Sequence, residues 1–149
     1  GYHTEVAPSV DSWVAESAAL FPERGVWWII DYGYPRSDYY APSRRKGTLR
    51  CYDAHRAGED PFASPGQQDI TAHVDFTRVA EAAERAGLRM AGFTDQHHFL
   101  IEAARPWLLS IEGQAPDAAT AKRLRQFHTL THPSLMGRQF KVMELRRGK

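Results

Sequence analysis

The feature that most constrains this chain is the run Val26-Trp27-Trp28-Ile29-Ile30, closed by Asp31-Tyr32-Gly33. Pro22 to Gly25 interrupts the chain before it and Gly33 interrupts it after. β-Branched and aromatic residues between breakers read as a short strand buried on both faces, of the kind found inside a layered α/β sheet. That strand ends on a carboxylate, which is costly at the edge of a core unless it has a partner, water or a task. Two readings of Asp31 stand side by side. It marks the carboxyl end of a central strand, where open α/β sheets bind ligands, or it closes a turn in which Gly33 supplies a positive φ.

The flanking segments supply the helices such a sheet needs. Val10, Trp13, Val14, Ala18 and Phe21 recur at helical spacing, with Ser9 or Asp11 available as the N-cap. Asp75 to Ala86 is the clearest helix: Asp75 caps it, Phe76, Val79, Ala80 and Ala83 form its apolar stripe, and Gly87 stops it. Leu88 to Phe93 reads as a strand. A helix opens at Thr94 or Asp95, another runs from Pro116-Asp117 to about Leu130, and Phe140 to Leu145 closes the chain as a strand with apolar residues on both faces. Strands alternating with helices give an α/β fold, and 149 residues of which 42% are hydrophobic suit one domain.

Tyr34 to Gln68 departs from this pattern. It carries Pro35, Pro42, Pro61 and Pro65 and only one strand-like patch, Thr48 to Tyr52. A connection of this length in a compact domain tends to be functional. Lys+Arg 19 against Asp+Glu 18 leaves no field that calls for nucleic acid or an acidic membrane. The clusters Arg44-Arg45-Lys46 and Arg146-Arg147 read as solvated charge. No apolar run approaches the ~20 residues of a membrane span, the first residues lack the features of a signal peptide, and a single cysteine, Cys51, suits a reducing, cytoplasmic setting.

Chemistry-bearing residues cluster around the long connection. In Lys46-Gly47-Thr48-Leu49-Arg50-Cys51-Tyr52, followed by His55, Gly47 allows close backbone approach and Arg50 could fork onto Asp31 or Asp69; the same residues could equally form a structural salt bridge. In Asp69-Ile70-Thr71-Ala72-His73-Val74-Asp75-Phe76 an extended backbone turns Asp69, Thr71 and His73 one way, and Asp75 reads as the helix cap. His97-His98 and the pair His128 and His132 do not make a metal set, because Pro133 pushes His132 out of the helix and no ligand motif surrounds them. Cys51 shows no sign of a depressed pKa. Neither GxGxxG nor GxxxxGK[ST] occurs.

Six stretches follow in order: GYHTEVAP, VWWIIDYGYP, RRKGTLRCYDAH, PGQQDITAHVDFTRVAEAAERAGL, GFTDQHHFL and PSLMGRQFKVMEL. Together they resemble the carboxyl-terminal half of the MidA-like methyltransferases, whose mitochondrial members are complex I assembly factors. The resemblance spans nearly the whole chain; GTLR with the following histidine and DITAHVDF carry it, whereas IDYG alone is weak. It implies the C-terminal part of a Rossmann-like class I methyltransferase fold: a mixed sheet with a long insertion loop at 34–68. VWWIIDYG would be the fifth strand, LRMAGF the sixth, and QFKVMEL an antiparallel last strand between them.

It further implies that residues 1–149 are the C-terminal portion of one methyltransferase domain. The glycine-rich half that binds S-adenosyl-L-methionine would then lie upstream of GYHTEV, and the acceptor would be an arginine of a protein of respiratory-complex type. The residues that match the family's motifs are Asp31, Tyr32, Gly33, Gly47, Thr48, Arg50, His55, Asp69, Thr71, Val74, Asp75, Phe76 and Gln96. The sequence departs from the pattern near Ala104, where a glycine is expected, and in its doubled histidine. Under this reading Asp31 and Asp69 hold the acceptor guanidinium, and His55 or His73 accepts its proton. Tyr32, Gly33, Thr48, Arg50, Thr71, Asp75 and Gln96 line the substrate side. Open sheet edges imply poor solubility or pairing between copies, a homo-oligomer, for the chain alone. A non-catalytic assembly module is the second reading. An α/β hydrolase with Asp31 as nucleophile and His73 as base is a distant third, because no nucleophile-elbow glycines surround Asp31.

Overall fold

The computed structural model describes residues 1–53 and 56–148. Its elements are α1 (Val10–Ala18), β1 (Gly25–Tyr34), α2 (Arg36–Tyr39), β2 (Arg50–Asp53), β3 (Arg56–Gly58), β4 (Asp69–Thr71), β5 (Val74–Asp75), α3 (Phe76–Arg85), β6 (Arg89–Asp95), α4 (Gln96–Ile111), α5 (Ala118–Thr131), a short π-helical turn (Pro133–Gly137) and β7 (Phe140–Arg147). Among the described residues no helix is long and apolar enough to cross a membrane.

The main sheet has the order β5-β1-β7-β6. β7 runs antiparallel to both neighbours, from Gly25↔Arg147 to Tyr32↔Phe140 on one side and from Arg89↔Arg146 to Asp95↔Lys141 on the other. β1 and β6 therefore run the same way, with the last strand between them, as the resemblance implies. β5 joins the carboxyl end of β1 in parallel through Gly33↔Val74 and Tyr34↔Asp75.

Local chemistry explains the helices. Asp75 accepts the Arg78 N–H at 3.1 Å as the cap of α3. At its other end Leu88 N–H donates to Ala83 O and Gly87 N–H to Glu84 O, while Gly87 adopts φ 79°, the left-handed C-terminal stop that glycine allows without strain. The apolar stripe of α3 (Phe76, Val79, Ala82 and Ala83) packs with Val14 and Ala18 of α1 against Ile29, Met143 and Leu145 of the sheet. This is the core. Asp95 caps α4 and Asp117 caps α5. Pro133 leaves His132 extended, at ψ 128°, just beyond α5.

Two expectations are corrected. β1 is not buried on both faces: Ile29 and Gly33 are buried, whereas Val26, Trp28, Ile30 and Tyr32 are 39–55% exposed on the other face. Strand side chains alternate, and along β1 it is the face beneath α1 and α3 that is covered more fully. On the opposite face Phe99 of α4 meets Trp28 edge-on at 5.7 Å. The 34–68 connection likewise holds more structure than the one strand-like patch expected at Thr48 to Tyr52, which is β2. It contains α2 and two strands of a three-stranded antiparallel sheet of order β3-β2-β4, pairing Cys51 with Gly58 and with Ile70.

Candidate functional site

The carboxyl end of β1 and the small sheet face each other across a cleft of about 550 Å³ lined by Tyr32, Tyr34, Thr48, Arg50, Tyr52, Thr71, Ala72, His73 and Gln139. An adjoining cleft of about 410 Å³ shares Tyr34, Thr48, Arg50 and His73 and extends over Ser43 to Gly47. The small sheet delivers these groups by its register. Arg50 pairs with Thr71, and His73 follows two residues later, just before β5 joins β1.

His73 is the pivot. Its ring lies 5.1 Å edge-on from Tyr34 and 6.0 Å from Tyr32. Tyr32 in turn packs on Phe140 at 4.1 Å. The Nδ1 of His73 is buried and has no hydrogen-bond partner among the described residues. Burial first, then the Arg44 and Arg50 guanidiniums, hold its pKa below the usual imidazole value; Glu5 and Asp31 pull the other way without prevailing. The favoured form is the neutral, proton-accepting imidazole.

Beneath the cleft sits a carboxylate that sequence reasoning missed. Glu5 Oε1 accepts the Tyr39 hydroxyl at 2.9 Å and the Thr48 N–H at 2.9 Å, and it bonds the Thr48 hydroxyl as well. Thr48 Oγ1 then accepts the His73 N–H at 2.9 Å. Burial alone would raise the Glu5 pKa, but these hydrogen bonds outweigh it and hold the group below the ordinary carboxylate value. Burial and the hydrogen bond to Glu5 push the Tyr39 phenol well up. Gly47, at φ 69°, leaves open the space that Glu5 Oε2 occupies, so its close approach is to this carboxylate. The signal in the sequence was thin: one acid in GYHTEVAP, a stretch that entered only as part of the family resemblance.

The other expected residues divide. Tyr32, Thr48, Arg50, Thr71 and His73 line the clefts. Asp31 stands at the end of β1, exposed, with its carboxylate accepting the Tyr32 N–H at 2.7 Å. It acts on His73 through its field and does not line the cleft. Asp69 is exposed opposite Tyr52, beyond the cleft's lining. Arg50 forks onto neither aspartate: its Nη1 donates to the Leu49 carbonyl at 2.6 Å, a turn back along its own strand. Gly33 has no positive φ. It is small because a Cβ there would meet the Phe76 ring at 2.6 Å and the Val74 carbonyl closer still.

Asp75 is occupied as the α3 cap and by Arg36 at 3.4 Å. Gln96 is buried away from the cleft, where its amide donates to Leu130 O at 2.8 Å and ties α4 to α5. His55 lies outside the described residues. The basic cluster at 44–46 is not merely solvated: Arg44 stacks 3.8 Å above the Tyr34 ring, and Lys46 pairs with Glu59 at 3.0 Å. At the other cluster Arg146 pairs with Glu144, and Arg147 donates to the Ala86 carbonyl. Among the described residues no group of three histidine, cysteine or acidic side chains gathers as a metal set.

Residues 1–94 match a family whose description reads "Putative S-adenosyl-L-methionine-dependent methyltransferase". The chain belongs to that family. The chain is 31% identical over 126 residues to the Drosophila melanogaster protein named "Protein arginine methyltransferase NDUFAF7 homolog, mitochondrial", covering 81% of this chain and 26% of that one. It is 29% identical over 150 residues to the Xenopus tropicalis NDUFAF7 protein arginine methyltransferase, covering 96% and 32%. A Burkholderia thailandensis crystal structure bound to S-adenosyl-homocysteine superposes with a TM-score of 0.86 at 38% identity, over 99% of this chain and 38% of that one. A native crystal structure of an uncharacterized protein from that organism matches equally well, over 39% of its length. The chain therefore spans about a quarter to two-fifths of these relatives, and its mixed sheet is that of a Rossmann-like methyltransferase.

Proposed function

We propose that this chain is the acceptor-facing C-terminal portion of an S-adenosylmethionine-dependent protein methyltransferase that modifies arginine. One observation carries the reading: the carboxyl end of β1 opens onto a cleft whose central group, His73, has a buried Nδ1 with no hydrogen-bond partner among the described residues and a pKa held below the usual imidazole value by burial. The family and the relatives named arginine methyltransferases support it. Among the described residues no glycine-rich turn leads into a helix, so we assign the cofactor's main cradle to sequence outside this chain.

The bound cofactor would supply an electrophilic methyl carbon. The work of this chain is to align and deprotonate the acceptor. A guanidinium has five donors and no acceptor, and one nitrogen must be freed of its share of π-bonding and of a proton before it attacks. We assign the orienting of the guanidinium plane to Asp31, which stands beside the cleft and outside its lining, with Asp69 a more distant second. His73 accepts the proton, as would His55, its alternate. Tyr32, braced by Phe140, offers a ring face to the cation. Holding these groups still supplies much of the acceleration of an in-line transfer.

The test is methyl transfer by the full-length protein. Asp31→Asn and His73→Gln should each lower kcat by at least tenfold, and Asp69→Asn by less. Unchanged turnover in the first two discards these roles. An assembly module remains the second reading, favoured by the exposed row Val26, Trp28, Ile30 and Tyr32. Failure of the full-length protein to bind S-adenosylmethionine in a calorimeter would select it.

A further inference from the structure

The smaller cleft has the wrong sign for a guanidinium. Four cations, Arg44, Arg45, Lys46 and Arg50, line its 410 Å³, and no carboxylate does. This is a local excess, because the whole chain carries a net charge of only +1. Glu5 beneath it is committed to Thr48 and Tyr39, and Glu59 pairs with Lys46, with Arg50 within reach of its field but not bonded to it. Arg44 is pinned over the Tyr34 ring, with a donor on the Asp38 carbonyl. Arg50 is turned onto the Leu49 carbonyl. Neither guanidinium has a carboxylate partner among the described residues, and each keeps most of its donors free. Both raise the potential felt at His73. Guanidiniums held at fixed positions beside a cavity are pre-organised to fork onto a planar oxyanion.

We propose that this cleft is a carboxylate-reading subsite that binds an acidic side chain of the acceptor protein, close in sequence to the residue to be modified. The inference rests on the protein-acceptor reading above. The two clefts share Tyr34, Thr48, Arg50 and His73, so a short peptide can place its target beside Tyr32 and His73 and a neighbouring carboxylate over Arg50. The target cation then meets the tyrosine rings of the larger cleft and the Asp31 field, and its acidic neighbour meets the cations of the smaller one, with Arg50 shared at their border. A free inorganic anion has the same chemistry, so the experiment distinguishes it from a peptide carboxylate.

The probes are two short peptides, each with one arginine, one carrying an aspartate a few residues away and the other an asparagine. With the full-length protein and S-adenosylmethionine, kcat/KM should favour the aspartate peptide by about tenfold, carried by KM, as expected for a charge-assisted pair in a cleft. Arg45→Gln and Arg50→Gln should each pull that ratio toward one, with folding confirmed by circular dichroism. Arg45 serves as the safer variant, because its side chain is exposed and its backbone carbonyl, which the substitution keeps, is what accepts the His3 N–H. Equal kcat/KM for both peptides in the unmodified protein overturns the subsite and leaves methyl transfer standing. No transfer to either peptide, with calorimetry still showing tighter binding of the aspartate form, overturns the catalytic reading and keeps the subsite. Sodium phosphate that binds tightly while both peptides bind alike assigns the cleft to a free anion and overturns the peptide proposal.

Discussion

The four-stranded sheet and the three-stranded sheet lie next to each other and are held by different forces. In the first, Met143 and Leu145 of the central strand are at most 1% exposed beneath α1 and α3, and burial of apolar surface fixes the arrangement. In the second, every residue of β3 and β4 is exposed, and the buried anchors are Cys51, Thr48 and Tyr39. That region is fastened by Glu5, which ties the amino-terminal segment to Thr48 and through it to His73. The apolar sheet supplies rigidity. The polar one supplies the groups that face the cleft, which a hydrophobic contact could not orient so specifically.

The contrast can be broken most forcefully in the large sheet. Leu145→Ala should cost about 4 kcal/mol, read by chemical denaturation, since a fully buried leucine leaves a cavity that strands on both sides cannot close. Gly33→Ala should cost about 3 kcal/mol, because its methyl meets the Phe76 ring and the Val74 carbonyl at the joint between β1 and β5. Glu5→Gln should cost about 2 kcal/mol, since the amide must set a donor against the Thr48 N–H. Its sharper signature is regional: amide exchange should quicken at Thr48 and His73 while Met143 stays protected. Loss of protection in β7 as well would mean the two sheets are one cooperative unit.

Smaller effects sharpen the picture. His73 has a folded pKa below its usual 6.5, so the unfolded chain binds the proton more readily. Stability should therefore fall as pH drops below about 6.5 and level off beneath the depressed folded value, and His73→Gln should remove that slope from a denaturation series. At the bottom of the scale, Glu102→Gln breaks an exposed ion pair with Arg105 and should change stability by less than about 0.5 kcal/mol.

Much of the large sheet was legible. The stripe of α3, its aspartate cap and its glycine stop are all local signals, and each appears where the sequence puts it. The strand at 26–30 was legible as a strand, but its two-sided burial was not, because a run of apolar residues does not reveal how many layers cover it. The polar region was legible only in part. Thr48, Arg50, Thr71 and His73 were visible as a concentration of chemistry, yet Arg50 was expected on an aspartate and instead bonds its own neighbour's carbonyl. Glu5 was invisible, since its partner lies 43 residues away and no spacing rule spans that distance.

The sequence by itself determined the helices, their caps, the apolar strands and the family, because these depend on neighbours within a few turns of the chain or on ordered motifs. Only the tertiary structure decided which carboxylate supports the site, which glycine is small for packing, and that cations rather than acids line the smaller cleft. The physical reason is range: hydrophobic periodicity is written locally, whereas charge and hydrogen-bond partners are chosen by whatever the folded chain brings within about 3 Å.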